Sequence, residues 1–122
     1  MTTWTRARLG AFGEELAVRH LTAAGWQVVA RNWRCRHGEL DIVAVDPQGP
    51  TLVFVEVKTR TGDGFGGLAE SVTAAKVRRL RLLAGQWLAD QPRRYPLIRL
   101  DLIGVRLDRG AGARIHHLRG AG

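Results

Sequence analysis

Leu52-Val53-Phe54-Val55-Glu56-Val57-Lys58 is the stretch on which the fold turns. Valine and phenylalanine in an unbroken apolar run predict a strand buried on both faces. A carboxylate and an ammonium are costly to desolvate unless paired, and here both stand at the C-terminal end of that strand. Alternation puts Glu56 and Lys58 on one face and Val57 on the other. An acid and an amine so placed can hold a cation beside a developing anion. The plain alternative is an ion pair capping a strand.

The segments on either side complete the core. Asp46-Pro47-Gln48-Gly49-Pro50 is a turn signal. It makes a hairpin of the central strand and the preceding one, Glu39 to Val45. Alternation in that earlier strand sets Glu39, Asp41, Val43 and Val45 on one face and Leu40, Ile42 and Ala44 on the other. Asp41 then lies near Glu56 across the hairpin. Further upstream, Trp26 to Ala30 predicts a first strand, and Arg31 to Gly38 a basic, aromatic-interleaved turn suited to a phosphate backbone or a stacked base.

Arg8 to Ala24 is periodic at three- and four-residue intervals through Leu9, Phe12, Leu16, Ala17, Leu21 and Ala24, the stripe of an amphipathic helix. Glu14 falls on the margin of that stripe and can look into the protein, whereas Glu15 points away. Gly10 and Gly13 weaken the helix and predict close approach to a neighbouring strand. Gly25 stops it. Downstream, Thr59 to Gly67 predicts a mobile polar loop whose spacing fits no nucleotide-binding pattern. Ser71 to Asp90 is a second helix, capped by Ser71 or Thr73, with Val77, Leu80, Leu83, Ala84, Trp87 and Leu88 as its buried stripe. Lys76 falls inside that stripe, so it either snorkels outward or reaches a buried anion. Ile98 to Leu107 is a fourth strand with Asp101 near its start. A short edge strand, Ala113 to Leu118, sends the adjacent His116 and His117 to opposite faces, a poor metal pair.

The 122 residues predict a single domain, with 1–7 and 119–122 as loose tails. Apolar residues are 45% and charged residues 25%, ordinary for a globular protein. No stretch approaches the ~20 apolar residues of a membrane span. A single cysteine, Cys35, excludes an internal disulfide and suits a reducing cytoplasm. The net charge of +8 favours a polyanion, most often nucleic acid. Arg34, Arg36, Arg60, Lys76, Arg78 and Arg79 are the candidate contacts.

The predicted order, αβββαβ with a short terminal strand, gathers Glu14, Asp41, Glu56, Lys58 and Lys76. Three carboxylates at strand ends are hard oxygen donors suited to Mg²⁺ or Mn²⁺. Such an ion would acidify a bound water and neutralise charge on a scissile phosphate. Lys58 would orient the water or stabilise the transition state.

Gly10-x-x-Gly13-Glu14-x-x-Ala17, Arg31-Asn32-x-Arg34, Gly38-Glu39-Leu40-Asp41-Ile42-Val43-Ala44, Val53-Phe54-Val55-Glu56-Val57-Lys58-x-Arg60, Phe65-Gly66 and Arg99-Leu100-Asp101-Leu102-Ile103 together resemble the YraN-like family of small bacterial proteins. That family is similar to Holliday junction resolvases and to the restriction-endonuclease-like nucleases, whose signature is Asp followed by Asp/Glu-x-Lys. The resemblance implies an α/β fold with a mixed sheet flanked by helices. It implies a metal-dependent phosphodiesterase of DNA, branched or junction DNA included, with Asp41, Glu56 and Lys58 as catalytic residues and Glu14 as a fourth member. It further implies the Val57 carbonyl as a metal ligand, and a homodimer, since resolvases of this type work as dimers. A non-catalytic nucleic-acid-binding module and a basic protein-interaction adaptor are the rival readings.

Overall fold

A computed structural model describes residues 5–61, 71–108, 110 and 112–121. The elements are α1 (Arg6–Ala23), β1 (Gln27–Cys35), β2 (Gly38–Asp46), β3 (Thr51–Thr61), α2 (Ala74–Ala89), β4 (Ile98–Asp108) and β5 (Gly112–Leu118). They form a five-stranded mixed sheet in the order β1-β2-β3-β4-β5. All neighbours are antiparallel except β3 and β4, which run parallel across the α2 crossover.

The apolar run of β3 is buried on both faces for the expected reason: each face carries a helix. Val53 and Val55 join Ala17 and Leu21 of α1, with Ile42, Ala44, Ile103 and Val105. Leu52 and Phe54 join Leu80, Leu83, Ala84 and Trp87 of α2, with Val43 and Leu100. Each fully buried aliphatic side chain contributes roughly 1.5–3 kcal/mol of transfer free energy, so β3 is the element that both cores share.

Local chemistry sets the helix ends. Thr5 Oγ1 accepts the Arg8 N–H, and Thr73 Oγ1 accepts that of Lys76. Gly25, at φ +89°, follows the last turn of α1, a left-handed position that glycine adopts without strain. Gly13 is buried, and a Cβ there would collide with Thr59 of β3. Gly10 makes no such approach, since a Cβ there would meet nothing within 4 Å.

Several boundaries depart from the pattern. Helix α1 begins at Arg6, so residues 6 and 7 are not tail. Phe12, assigned to the buried stripe, is 41% exposed, because Gly13 rather than Phe12 faces the sheet. Arg31–Cys35 is strand paired with β2, leaving only a tight turn before Gly38. Strand β3 runs on to Thr61 because it keeps pairing with β4. The remainder of the expected loop, with Phe65 and Gly66, lies outside the described residues. Residues 119–121 are tied down: Gly120 N–H donates to Asp101 Oδ1, and Ala121 N–H to the Leu100 carbonyl. No helix among the described residues is long and apolar enough to cross a membrane.

Gly13→Ala is expected to destabilise the protein by about 1–3 kcal/mol through overpacking. That opposes the ~1 kcal/mol alanine gains in helix propensity. Thermal denaturation checks this, and a double-mutant cycle with Thr59→Gly should show the two positions coupled.

Candidate active site

Strands β1 and β2 share a break in alternation, separate from the bulge between Val28 and Ala30 of β1. In β1, Ala30, Trp33 and Cys35 pack toward α2, so the phase slips between Ala30 and Trp33. In β2, Val43 and Leu40 both pack toward α2, while Ile42 and Ala44 pack toward α1, so the phase slips around Asp41. Leu40 is therefore not on the Ile42 face, as strict alternation predicts. Asn32 and Asp41 sit at these slips, between the paired positions Arg31↔Ile42 and Trp33↔Leu40. Asn32 adopts φ +51°, left-handed backbone inside a strand. Among residues other than glycine, asparagine takes that conformation most readily.

The slip re-aims Asp41. The β2–β3 ladder runs from Asp46↔Thr51 to Ile42↔Val55 and goes no further. Beyond it, β2 pairs only with β1 and β3 only with β4. Where the next ladder bond would fall, Asp41 Oδ2 accepts the Val57 N–H at 2.9 Å. The carboxylate thus stands in the fork between two strands.

Glutamates on three elements act on that carboxyl through their charge, without closing into a cluster. Burial pushes the Asp41 carboxyl up to about 7; the Val57 hydrogen bond opposes this, and Glu14, Glu56 and Glu39 add to it. Glu14 is itself raised, first by burial and then by Glu39, with Arg31 and Arg34 opposing. With its amide oriented to suit its neighbours, Asn32 donates to Glu14 Oε1 at 2.6 Å and Glu39 Oε1 at 3.0 Å. Asn32 and Glu39 are the residues that motif reading missed. The one available signal was an asparagine in a basic strand directly opposite the key aspartate.

Glu56 faces α2. Lys76 Nζ lies 3.1 Å from its Oε2, and Arg79 donates to Oε1 at 3.5 Å. Lys76 therefore reaches a buried anion rather than snorkelling. Its approach to Oε2 is close enough for an ion pair but is not aligned as a hydrogen bond. Oε2 is thus buried with no hydrogen-bond partner among the described residues. Lys58 lies on the same strand face and makes no ion pair among them. Burial, then Arg60 and Lys76, lower its pKa, against the pull of Glu56.

The expected ligand cluster is not drawn together. Among the described residues, no three His, Cys, Asp or Glu side chains stand close enough to hold a metal ion. The reason is visible: Glu56 is held toward α2 by two cations, while Asn32 holds Glu14 beside Glu39. The donor set nevertheless suits a hard divalent cation. It is all oxygen, it includes a buried carboxylate oxygen, Glu56 Oε2, that has an ion-pair partner but no aligned hydrogen bond, and the charges of Glu14, Glu56 and Glu39 all act on Asp41.

Of the expected nucleic-acid contacts, Arg34 pairs with Glu39 at 3.4 Å and remains mostly exposed. Arg36 donates to His37 Nε2. Arg60 and Arg78 are exposed. Lys76 and Arg79 are taken up by Glu56. Cys35 Sγ approaches Gln86 Oε1 at 3.2 Å, with no base beside it that would make it a nucleophile.

A mixed sheet flanked by two helices, with an aspartate at the hairpin fork and Glu-x-Lys across from it, is the restriction-endonuclease-like α/β arrangement. The chain belongs to the uncharacterised protein family UPF0102, whose sequence profile matches residues 13–105. It is similar to UPF0102 proteins of Mycobacterium ulcerans, 61% identical over 122 residues and covering both chains completely. The Mycobacterium avium relative is 63% identical over 121 residues, covering 99% of this chain and 94% of that one. The Mycolicibacterium smegmatis relative is 60% identical over 122 residues, covering 100% and 98%.

The raised Asp41 pKa has a thermodynamic consequence of definite sign. The group titrates near 3.8 when unfolded and about 7 when folded. The folded state therefore binds the proton more tightly, and this group's contribution to stability falls as pH rises from 4 to 7. Asp41→Asn keeps an acceptor for Val57 N–H and loses the charge. It is expected to stabilise the protein on the order of 2–4 kcal/mol at pH 8, since each tenfold difference in proton affinity between the two states is worth about 1.4 kcal/mol. At pH 4 it should do little. Denaturant unfolding at the two pH values measures the difference.

Proposed function

We propose that this protein is a metal-dependent phosphodiesterase acting on nucleic acid, DNA in the first instance and branched or junction DNA within it. One observation carries the reading: a half-buried aspartate raised to about 7 by burial and by the charges of Glu14, Glu56 and Glu39, with a lysine one strand away that makes no ion pair among the described residues. Clustered like charges are destabilising unless they do something, and strongly shifted groups concentrate at functional sites.

Glu14, Asp41, Glu56 and the Val57 carbonyl would hold Mg²⁺ or Mn²⁺. When bound, such an ion acidifies a water and neutralises phosphate charge. Asp41 keeps its orientation through the Val57 N–H. Lys58, with its pKa lowered, places an ammonium beside the reacting phosphate and positions the attacking water. Lys76 and Arg79 set the orientation of Glu56.

A second reading follows from that same pair of cations. Glu56 already has counter-ions, which suits a module that binds nucleic acid without hydrolysing it. Cleavage of labelled junction, flap and single-stranded DNA with Mn²⁺ separates the two. The wild type is expected to cut at least one substrate and to stop when the metal is chelated. Asp41→Ala and Lys58→Ala are each expected to slow it by about 10²–10³-fold, the usual loss for one electrostatic contributor. Cleavage at the wild-type rate in both variants would remove the assignment, and binding without cleavage would favour the second reading.

A further inference from the structure

We infer that the nucleic acid reaches the carboxylates as a single strand running along the α1 face, across Gly10, rather than over the arginines of α2. The inference rests on the nucleic-acid reading above and gives that site a direction of approach. Two grooves of about 450 Å³ each open beside the N-terminal half of α1. One is lined by Arg6, Gly10, Glu14, Arg31 and Arg34. The other is lined by Arg6, Gly10, Val57, Thr59 and Arg60. Arg6 and Gly10 belong to both, so the grooves meet there.

Gly10 is what leaves the passage open. It sits in mid-helix, where glycine is unfavourable. A Cβ there would touch nothing within 4 Å, so close packing does not explain it, unlike Gly13. One groove contains Glu14, and the other contains Val57, whose N–H holds Asp41. A chain lying through both therefore passes the acidic fork.

The lining charges select the occupant. Arg6 and Arg60 make no ion pair among the described residues. Arg31 and Arg34 pair only with Glu15 and Glu39, and both arginines keep exposed side chains. Cations on both sides of an acidic centre suit a polymer bearing a regular line of anions. Pockets of this size accept one sugar-phosphate backbone, as in proteins that track single strands through basic grooves. On the α2 side, Lys76 is engaged by Glu56, Arg79 pairs with the same carboxylate while half exposed, and Arg78 is the exposed rival contact, but neither groove is lined by them.

The test is fluorescence anisotropy with a labelled oligothymidylate, in chelator and again with Ca²⁺, on the full chain. Arg6→Ala and Arg60→Ala are each expected to weaken binding about 3–10-fold and to lower the salt slope by about 0.7, the value for one phosphate contact on a single strand. Gly10→Leu puts a bulky side chain where the two grooves meet and is expected to weaken binding at least as much. It should do so with an unchanged or higher melting temperature, since leucine favours the helix. Arg94→Ala, the same charge change on a distant loop, controls for net charge and should have no effect. If Arg6→Ala, Arg60→Ala and Gly10→Leu bind like wild type while Arg78→Ala weakens binding, the path is overturned and the nucleic-acid reading survives. If all four arginine variants lose equally, the effect is bulk charge and the path is overturned. If the wild type binds no oligonucleotide in either condition, both the path and the reading on which it rests are overturned.

Discussion

The Val57 N–H that Asp41 accepts is a backbone donor at the point where a sheet ladder stops. A buried backbone N–H must find a partner, and the next β2 carbonyl is not in the ladder to accept it. Asp41 can do so because the side-chain phase of β2 slips at that residue. The slip is shared with Asn32 on β1, whose left-handed backbone lets both strands change phase together. Had β2 continued regularly, Leu40 would face α1 with Ile42, and the Asp41 side chain would stand on one face of a closed sheet. It could not then take the Val57 N–H between the two strands, where the charges of Glu14 and Glu56 both act on it. This irregularity, distinct from the bulge between Val28 and Ala30, opens the fork, and the candidate site is that fork.

Periodicity in the sequence exposed most of the framework. The unbroken run Leu52–Val55 meant burial on both faces, and a helix covers each. The turn at Pro47–Pro50 meant a hairpin, and β2 pairs antiparallel with β3. What escaped was the phase slip. Period-2 reasoning assumes an unbroken pleat, so it placed Leu40 on the wrong face and could not foresee that Asp41 would lie between strands. Asn32 was visible as a residue, but nothing in its neighbours signals φ +51°. The acidic members of the site were legible because carboxylates are rare at the ends of buried strands. Lys76 was legible as a lysine that either snorkels or reaches an anion, but that it and Arg79 hold Glu56, and Asn32 holds Glu14, was not, since they lie 20, 23 and 18 residues from those partners and only the fold brings them together.

On β4, across β3 from Asp41 and paired with Val55, stands the residue whose comparison interprets Asp41. Asp101 is buried, its side chain fully so. Arg99 donates to it through two nitrogens, at 2.7 and 2.9 Å. His117 Nε2 lies 2.8 Å away, and Gly120 N–H donates as well. Arg99 also bridges to the buried Asp46 at 3.1 Å. Desolvation would raise the Asp101 pKa, but the hydrogen bonds from His117, Arg99 and Gly120 outweigh it, and the carboxyl ends below its ordinary value. Its stabilising contribution is present above the unfolded pKa and fades as pH falls.

Asp41, only partly buried, has one backbone donor and feels three glutamates, so desolvation wins there and its pKa moves the other way. The same fold therefore surrounds one buried aspartate with donors and leaves a half-buried one with a single backbone donor. Donors are not scarce: Arg31 and Arg34 are close enough to lower Glu14, yet they pair with Glu15 and Glu39 instead. A buried charge with all its partners is a fastener, and removing one partner from such a group is costly. A half-buried charge kept short of partners while cations stand nearby costs stability in the free protein. That cost falls when a cation from outside arrives. The contrast between the two aspartates, more than the number of acids near the fork, is what singles out Asp41 within the candidate site, whereas Asp101 clamps the C-terminal segment.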